Sequence, residues 1–249
     1  MPLRLMVVLS FCAASFAASA RMIVIEADDG HKLVGDLYAV AKPVGGVLLV
    51  HQCNGDRHHY AALGQALAKV GLVAMALDSR GFGDSRSDAF DVPKLKTATA
   101  SEAEFARGFA PIRKLWGGDL RLALTRLRLE AGDGNKNRIA LVGASCGGRA
   151  ALLAASKDVP RALALLSAVA DAEVIDAAMP KLAATPVLTL AGTRDAEFAA
   201  MARSVFDASK HPQSELIWRN SERHGTLLFD EDAALLAHVV AWISARLSE

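Results

Sequence analysis

A serine framed by glycines, Gly143-Ala144-Ser145-Cys146-Gly147, follows the apolar run Ile139–Val142 and opens an alanine-rich segment, Arg149-Ala150-Ala151-Leu152. A serine becomes a useful nucleophile when it sits on a sharp, strained strand-to-helix turn. The flanking glycines remove the side chains that would collide with neighbouring backbone there. Such a turn also aims the start of the following helix at the hydroxyl. Free N–H groups and the positive end of the helix dipole can then stabilise the oxyanion formed when Oγ attacks a carbonyl. Gly-x-Ser-x-Gly alone arises by chance, and the strand before it and the helix after it are what give it weight. The bland alternative is a glycine-rich turn holding an incidental serine.

The surrounding chain supplies elements able to position such a residue. Short apolar, β-rich runs alternate with longer helical patterns, the signature of an α/β domain whose mostly parallel sheet is covered by helices on both faces. Two opening strands, Met22–Glu26 and Lys32–Ala39, flank Asp28-Asp29-Gly30 and read as an antiparallel edge hairpin. Five buried strands follow at Gly46–Val50, Val73–Leu77, Arg138–Val142, Ala162–Leu166 and Val187–Leu190, with a last one at Glu215–Trp218, giving about eight in all. Three- and four-residue apolar spacing predicts helices over Tyr60–Val70, Asp119–Glu130, Cys146–Ser156, Glu197–Ser209 and Asp230–Arg246, with a short one inside Ala170–Ala183. Residues 86–117 break the rhythm. A structureless loop of that length is uncommon, so a small, partly helical flap over the carboxyl edge of the sheet is expected, the alternative being a surface excursion with no role in binding.

Strand, Gly-x-Ser-x-Gly and helix together resemble the α/β-hydrolase superfamily, dienelactone-hydrolase-like serine esterases included, over essentially the whole chain beyond residue 20. The resemblance implies a catalytic order Ser, Asp, His. Asp195 ends Pro186-Val187-Leu188-Thr189-Leu190-Ala191-Gly192-Thr193-Arg194-Asp195, just past a late strand, and His224 lies in Ser221-Glu222-Arg223-His224-Gly225 after the last one. Ser145, Asp195 and His224 are therefore the expected catalytic residues. Asp171 follows the preceding strand and is a rival acid, and Asp195 could instead cap the helix after it. His211 and His238 lie before a strand and inside the terminal helix, where solvated or helix-face roles are expected.

The loop after the first central strand reads His51-Gln52-Cys53-Asn54-Gly55-Asp56, with Gln52 where most relatives carry glycine. The implied oxyanion hole uses the N–H of Cys146 and that of Cys53, with Gln52 the alternative to the latter, and His51 braces the loop. This alignment brings the only cysteines beyond residue 20, Cys53 and Cys146, to one site, where a disulfide is expected against the alternative of two buried thiols. Leu77-Asp78-Ser79-Arg80-Gly81-Phe82-Gly83-Asp84-Ser85 resembles the superfamily's Asp-x-Arg-Gly-x-Gly-x-Ser loop, and an Asp78–Arg80 bond is expected to fix it. His58 and His59 either line the pocket or sit exposed at a helix start.

Composition narrows the remaining classes. The chain has 249 residues, 52% of them hydrophobic, with 28 basic against 27 acidic groups, so it can bury a sizeable core and carries no field for a polyanion. Nucleic acid is excluded as an expected partner, and no metal-ligand set or phosphate-cradling loop is visible, so no cofactor is implied. Arg4, the run Leu5–Leu9, Phe11, Phe16 and Ala18-Ser19-Ala20 read as a secretory signal peptide over residues 1–20, cleaved after Ala20, and Phe11 before Cys12 argues against a lipoprotein site. The expected product is one exported domain, 21–249, periplasmic or extracellular, with no membrane insertion after cleavage. The expected activity is hydrolysis of small or medium carboxylic esters through an acyl-enzyme. Lactone, amide and peptide cleavage on the same triad are the alternatives, together with a catalytically silent envelope binding protein.

Overall fold

The computed structural model describes residues 20–248. The signal-peptide reading, with Cys12, therefore lies outside the described residues except for Ala20, the first residue of β1 (Ala20–Glu26). β1 turns through Asp28-Asp29-Gly30 into β2 (Lys32–Tyr38), the expected antiparallel hairpin. The chain then runs β3 (Gly45–Val50), α1 (Ala61–Lys69), β4 (Leu72–Leu77), α2 (Val92–Ala98), α3 (Glu102–Ala131), β5 (Ile139–Ala144) and α4 (Cys146–Ala155). It closes with β6 (Ala162–Leu166), α5 (Ala172–Ala178), β7 (Val187–Gly192), α6 (Ala196–Ala208), β8 (Glu215–Arg219), α7 (Leu228–Glu231) and α8 (Ala233–Ser248).

The strands form one eight-stranded sheet in the order β1-β2-β4-β3-β5-β6-β7-β8. Only β1–β2 and β2–β4 pair antiparallel; every later pair is parallel. Strands covered on both faces must be apolar at every position, and β3 to β7 are buried throughout. Side chains alternate between two cores. Leu48, Val50, Met75 and Leu141 pack with Leu120, Leu124 and Leu127 of α3, whereas Val47, Leu49 and Val142 pack with Leu63 and Leu67 of α1 and Val239 and Ile243 of α8.

The chain leaves β3 for β4 on one side and returns to β5 on the other. Open α/β sheets bind ligands at the carboxyl ends of strands where the order reverses in this way. The register sets Val50 opposite Gly143, so the loops after β3 and β5 start level with one another.

Two helices differ from the sequence expectation. The flap holds α2, and α3 continues as one 30-residue helix from Glu102 through Pro111, Gly117 and Gly118, where a helix was expected to begin only at Asp119. Pro111 withholds one N–H from the ladder and Gly117–Gly118 offer poor propensity. Burial overrides both: Phe109, Ile112 and Trp116 form a third core with Phe82, Val92 and Cys146. The expected terminal helix Asp230–Arg246 is split at Asp232. That residue leaves the helical region and caps α8, its Oδ1 accepting from the N–H groups of Ala234 and Leu235 at 2.9 and 3.1 Å.

Candidate active site

Ser145 sits between β5 and α4 at φ 52°, ψ −121°, a conformation that costs a non-glycine residue free energy and is held by its surroundings. Its N–H donates to Leu166 O at 3.0 Å and its carbonyl accepts from Val169 N at 3.0 Å, which locks the turn onto the end of β6. The flanking glycines are needed for close approach. A Cβ on Gly143 would lie 2.5 Å from Gly147 O, and one on Gly147 would lie 2.3 Å from His51 O and 2.4 Å from Val50 O. The start of α4 thus rests directly on the backbone leaving β3.

Cys53 and Cys146 are joined by a disulfide, with Cα atoms 5.8 Å apart across that same gap. The neighbouring His51 is fully buried. Its Nδ1 lies 2.7 Å from Gln52 O and its Nε2 accepts from Ser79 N at 2.9 Å, which requires a neutral ring with the proton on Nδ1. Burial holds its pKa below the ordinary histidine value, against the opposing pull of the Gln52 carbonyl and Asp78. His51 therefore ties the loop after β3 to the loop after β4, the bracing position expected of it.

His224 precedes the turn Gly225–Leu227, and its Nδ1 lies 2.7 Å from Asp195 Oδ2. Asp195 makes no side-chain cap on α6, so its carboxylate is directed at the histidine. The rival, Asp171, caps α5 through Val174 N at 3.0 Å and pairs with Arg149, and the Val174 N–H and that arginine hold its carboxyl below the usual range. His211 receives the Gln213 N–H, and His238 lies 2.8 Å from Glu215, so neither is gathered to this site.

Ser145, His224 and Cys53 line one cleft of about 780 Å³ with Phe82, Val92 and Phe105. The last two belong to α2 and α3, so the flap forms part of the cleft wall rather than a detached excursion. Arg86 and Lys96 stand at the same wall. His58 and His59 do not line it. His58 binds Asp56 Oδ1 and His59 packs against Gly55, so both secure the loop after β3 from outside.

The match to a family model decides the affiliation: the model described as serine aminopeptidase, S33, a hydrolase family, matches residues 41–184. The chain belongs to the serine aminopeptidase S33 family. No match was found among curated protein sequences. Solved structures share the fold of this S33 hydrolase. A dienelactone hydrolase from Anabaena variabilis is 19% identical with a TM-score of 0.61, covering 92% of this chain and 97% of its own. The esterase domain of a Rhodothermus marinus protein is 18% identical with a TM-score of 0.65, covering 91% and 98%. An esterase from Pyrococcus furiosus is 16% identical with a TM-score of 0.68, covering 92% and 93%. These likenesses establish the α/β-hydrolase fold.

Three features of this S33 hydrolase were not legible as site features. Gln52, in the place of a glycine, sends its Oε1 into the histidine turn, where it accepts from Thr226 N at 3.0 Å and Thr226 Oγ1 at 3.1 Å. Phe198 of α6 sets its ring edge-on to His224 with centroids 4.2 Å apart. The loop after β4 is fixed differently from expectation, because Asp78 and Arg80 do not bond each other. Asp78 binds the N–H and guanidinium of buried Arg57, which also reaches Asp36 at 3.0 Å and Asp84 at 2.8 Å. Arg80 makes a bidentate pair with Asp119 of α3 at 2.8 and 3.0 Å and a second pair with Asp29 of the hairpin turn. Planar guanidinium forks recruit several distant carboxylates at once, and the sequence gives no local sign of which.

Proposed function

We propose that this S33-family hydrolase cleaves small or medium carboxylic esters through an acyl-enzyme on Ser145. The observation that carries the reading is the His224–Asp195 contact of 2.7 Å beside a cleft that His224 shares with a serine held at positive φ. His224 takes the proton of Ser145 as Oγ attacks the ester carbonyl. Asp195 fixes the imidazole tautomer and stabilises the cation that forms. The N–H groups of Cys146 and Cys53, neither hydrogen-bonded among the described residues, receive the oxyanion. His224 then protonates the leaving alcohol, and water releases the acid by the reverse sequence.

Ester cleavage is preferred to aminopeptidase action because the cleft wall presents Arg86 and Lys96 against one lining carboxylate, Asp56, whose Oδ1 is held by the N–H and ring of His58. The disulfide supports an oxidising compartment, in keeping with export after removal of residues 1–20, and N-terminal sequencing of the secreted protein should begin at Arg21.

A p-nitrophenyl ester should give a stoichiometric burst, lost in Ser145→Ala together with fluorophosphonate labelling. Asp195→Asn should lower kcat about 10³- to 10⁴-fold while Asp171→Asn changes it less than about threefold. Absence of both turnover and labelling in the wild type would leave the silent binding protein as the reading. A faster reaction on amino-acyl p-nitroanilides than on esters would move it to the peptidase.

A further inference from the structure

A second cavity of about 260 Å³ lies between α3 and α4, behind the Ser145 turn. Trp116, Leu153 and Cys146 contribute apolar surface to it. Four cations also line it: Arg113 and Lys114 from α3, Arg149 from α4, and Lys157 just beyond its end. Among the described residues one carboxylate answers them, Asp171, which pairs with Arg149 and also draws on Arg113. Arg113, Lys114 and Lys157 have no ion-pair partner among the described residues. Partial burial, and after it the charge of nearby Arg149, lower the pKa of Arg113 against the opposing pull of Asp171.

Like charges gathered over an apolar recess are unfavourable until an anion arrives, and an anion alone would leave the recess wet. Both halves are satisfied by one kind of molecule. We propose that the α3–α4 cavity is a binding site for a small amphiphilic carboxylate. Its head pairs with Arg113 and the neighbouring cations, and its alkyl tail lies on Trp116 and Leu153. Guanidinium forks match a carboxylate in two-point geometry, and the apolar lining supplies the affinity that an exposed ion pair lacks. Cys146 borders this cavity while its disulfide partner Cys53 borders the catalytic cleft, so the bridge is the partition between the two.

Titration calorimetry of the exported chain with sodium octanoate, octylamine and acetate tests the site without recourse to activity. Octanoate should bind saturably and more weakly as salt rises, and neither octylamine nor acetate should bind. Arg113→Glu/Lys157→Glu should weaken octanoate about tenfold or more. Arg86→Glu/Lys96→Glu, on the catalytic cleft, should leave its affinity within about twofold. If the first double variant does not fold, Arg113→Gln and Lys157→Gln singly should each weaken binding by about two- to threefold. Equal binding of octylamine, no binding of octanoate, or an octanoate affinity that follows the cleft substitutions and ignores Arg113 and Lys157 would overturn the proposal.

Discussion

Replacing both bridged cysteines by alanine tests how the Ser145 turn is held. Cys53 and Cys146 are 93 residues apart in sequence, so the bridge removes the freedom of a long loop from the unfolded chain. The loop-closure relation gives about 16 cal/mol/K for a loop of that size, or about 4.6 kcal/mol at about 25 °C. Domains of this length lose about 2–4 °C of Tm per kcal/mol, so the variant should melt about 10 °C or more below the oxidised protein. Urea unfolding followed by circular dichroism measures the difference directly, and the wild type with a reductant present should unfold alongside the variant. In the proposed mechanism the same bridge fixes two oxyanion donors on different loops. Below its melting range, the variant should therefore lose about ten- to a hundredfold in kcat, the scale of a small misplacement of catalytic groups. A stability loss under about 1 kcal/mol, or two free thiols titrated in denatured, unreduced protein, would refute the reasoning.

Gln52→Met keeps the side-chain volume and removes the acceptor shared by Thr226 N and Oγ1, so urea unfolding should show a loss of about 2 kcal/mol. A double-mutant cycle with Thr226→Val should give a coupling of about 1 kcal/mol; a value under about 0.3 kcal/mol would mean that the two loops are not tied through this contact. Gly118→Ala should stabilise the fold by about 0.5–1 kcal/mol in the same assay, because a Cβ there meets nothing within 4 Å and the helix gains propensity. His51 is held neutral in the folded state, with its pKa below the unfolded value near 6.5. Its contribution to stability is therefore complete above that pH and is lost as the pH falls toward the folded pKa, by at most about 1.4 kcal/mol per pH unit. Unfolding measured from neutral pH down to about pH 5 should fall less steeply in His51→Gln than in the wild type.

The strands and the Ser145 turn were readable because their signals are local. Strands buried on both faces must be continuously apolar, and the turn needs glycines at fixed offsets from the serine. Asp195 and His224 were picked out by their places after late strands, while the contact between them, and the engagement of the rival Asp171 by Arg149, are tertiary facts with no local sign. Long-range ion pairs leave no periodic trace, which is why Asp78 was assigned to Arg80, two residues away, when its partner is Arg57 across the loop. The flap misled for the opposite reason. Pro111 and Gly117–Gly118 are strong local punctuation, and only the burial of Phe109, Ile112 and Trp116 against Phe82 and Val92 carries the helix through them.

That continuous helix gives the cleft wall the mechanics of a strut fixed along its length. α3 is held on both sides of its glycine pair: Leu120, Leu124 and Leu127 anchor the later half in the main core, and Phe109, Ile112 and Trp116 anchor the earlier half against Phe82 and Val92, with Phe105 stacked on Phe109. From Gly117 back to Phe105 is twelve residues, about 18 Å of helix at 1.5 Å per residue. Over that length the packed face ties the position of Phe105 to the contacts that hold Phe109, Ile112 and Trp116. The position of the cleft wall is therefore set partly by side chains, Ile112 and Trp116 among them, that do not themselves line the cleft.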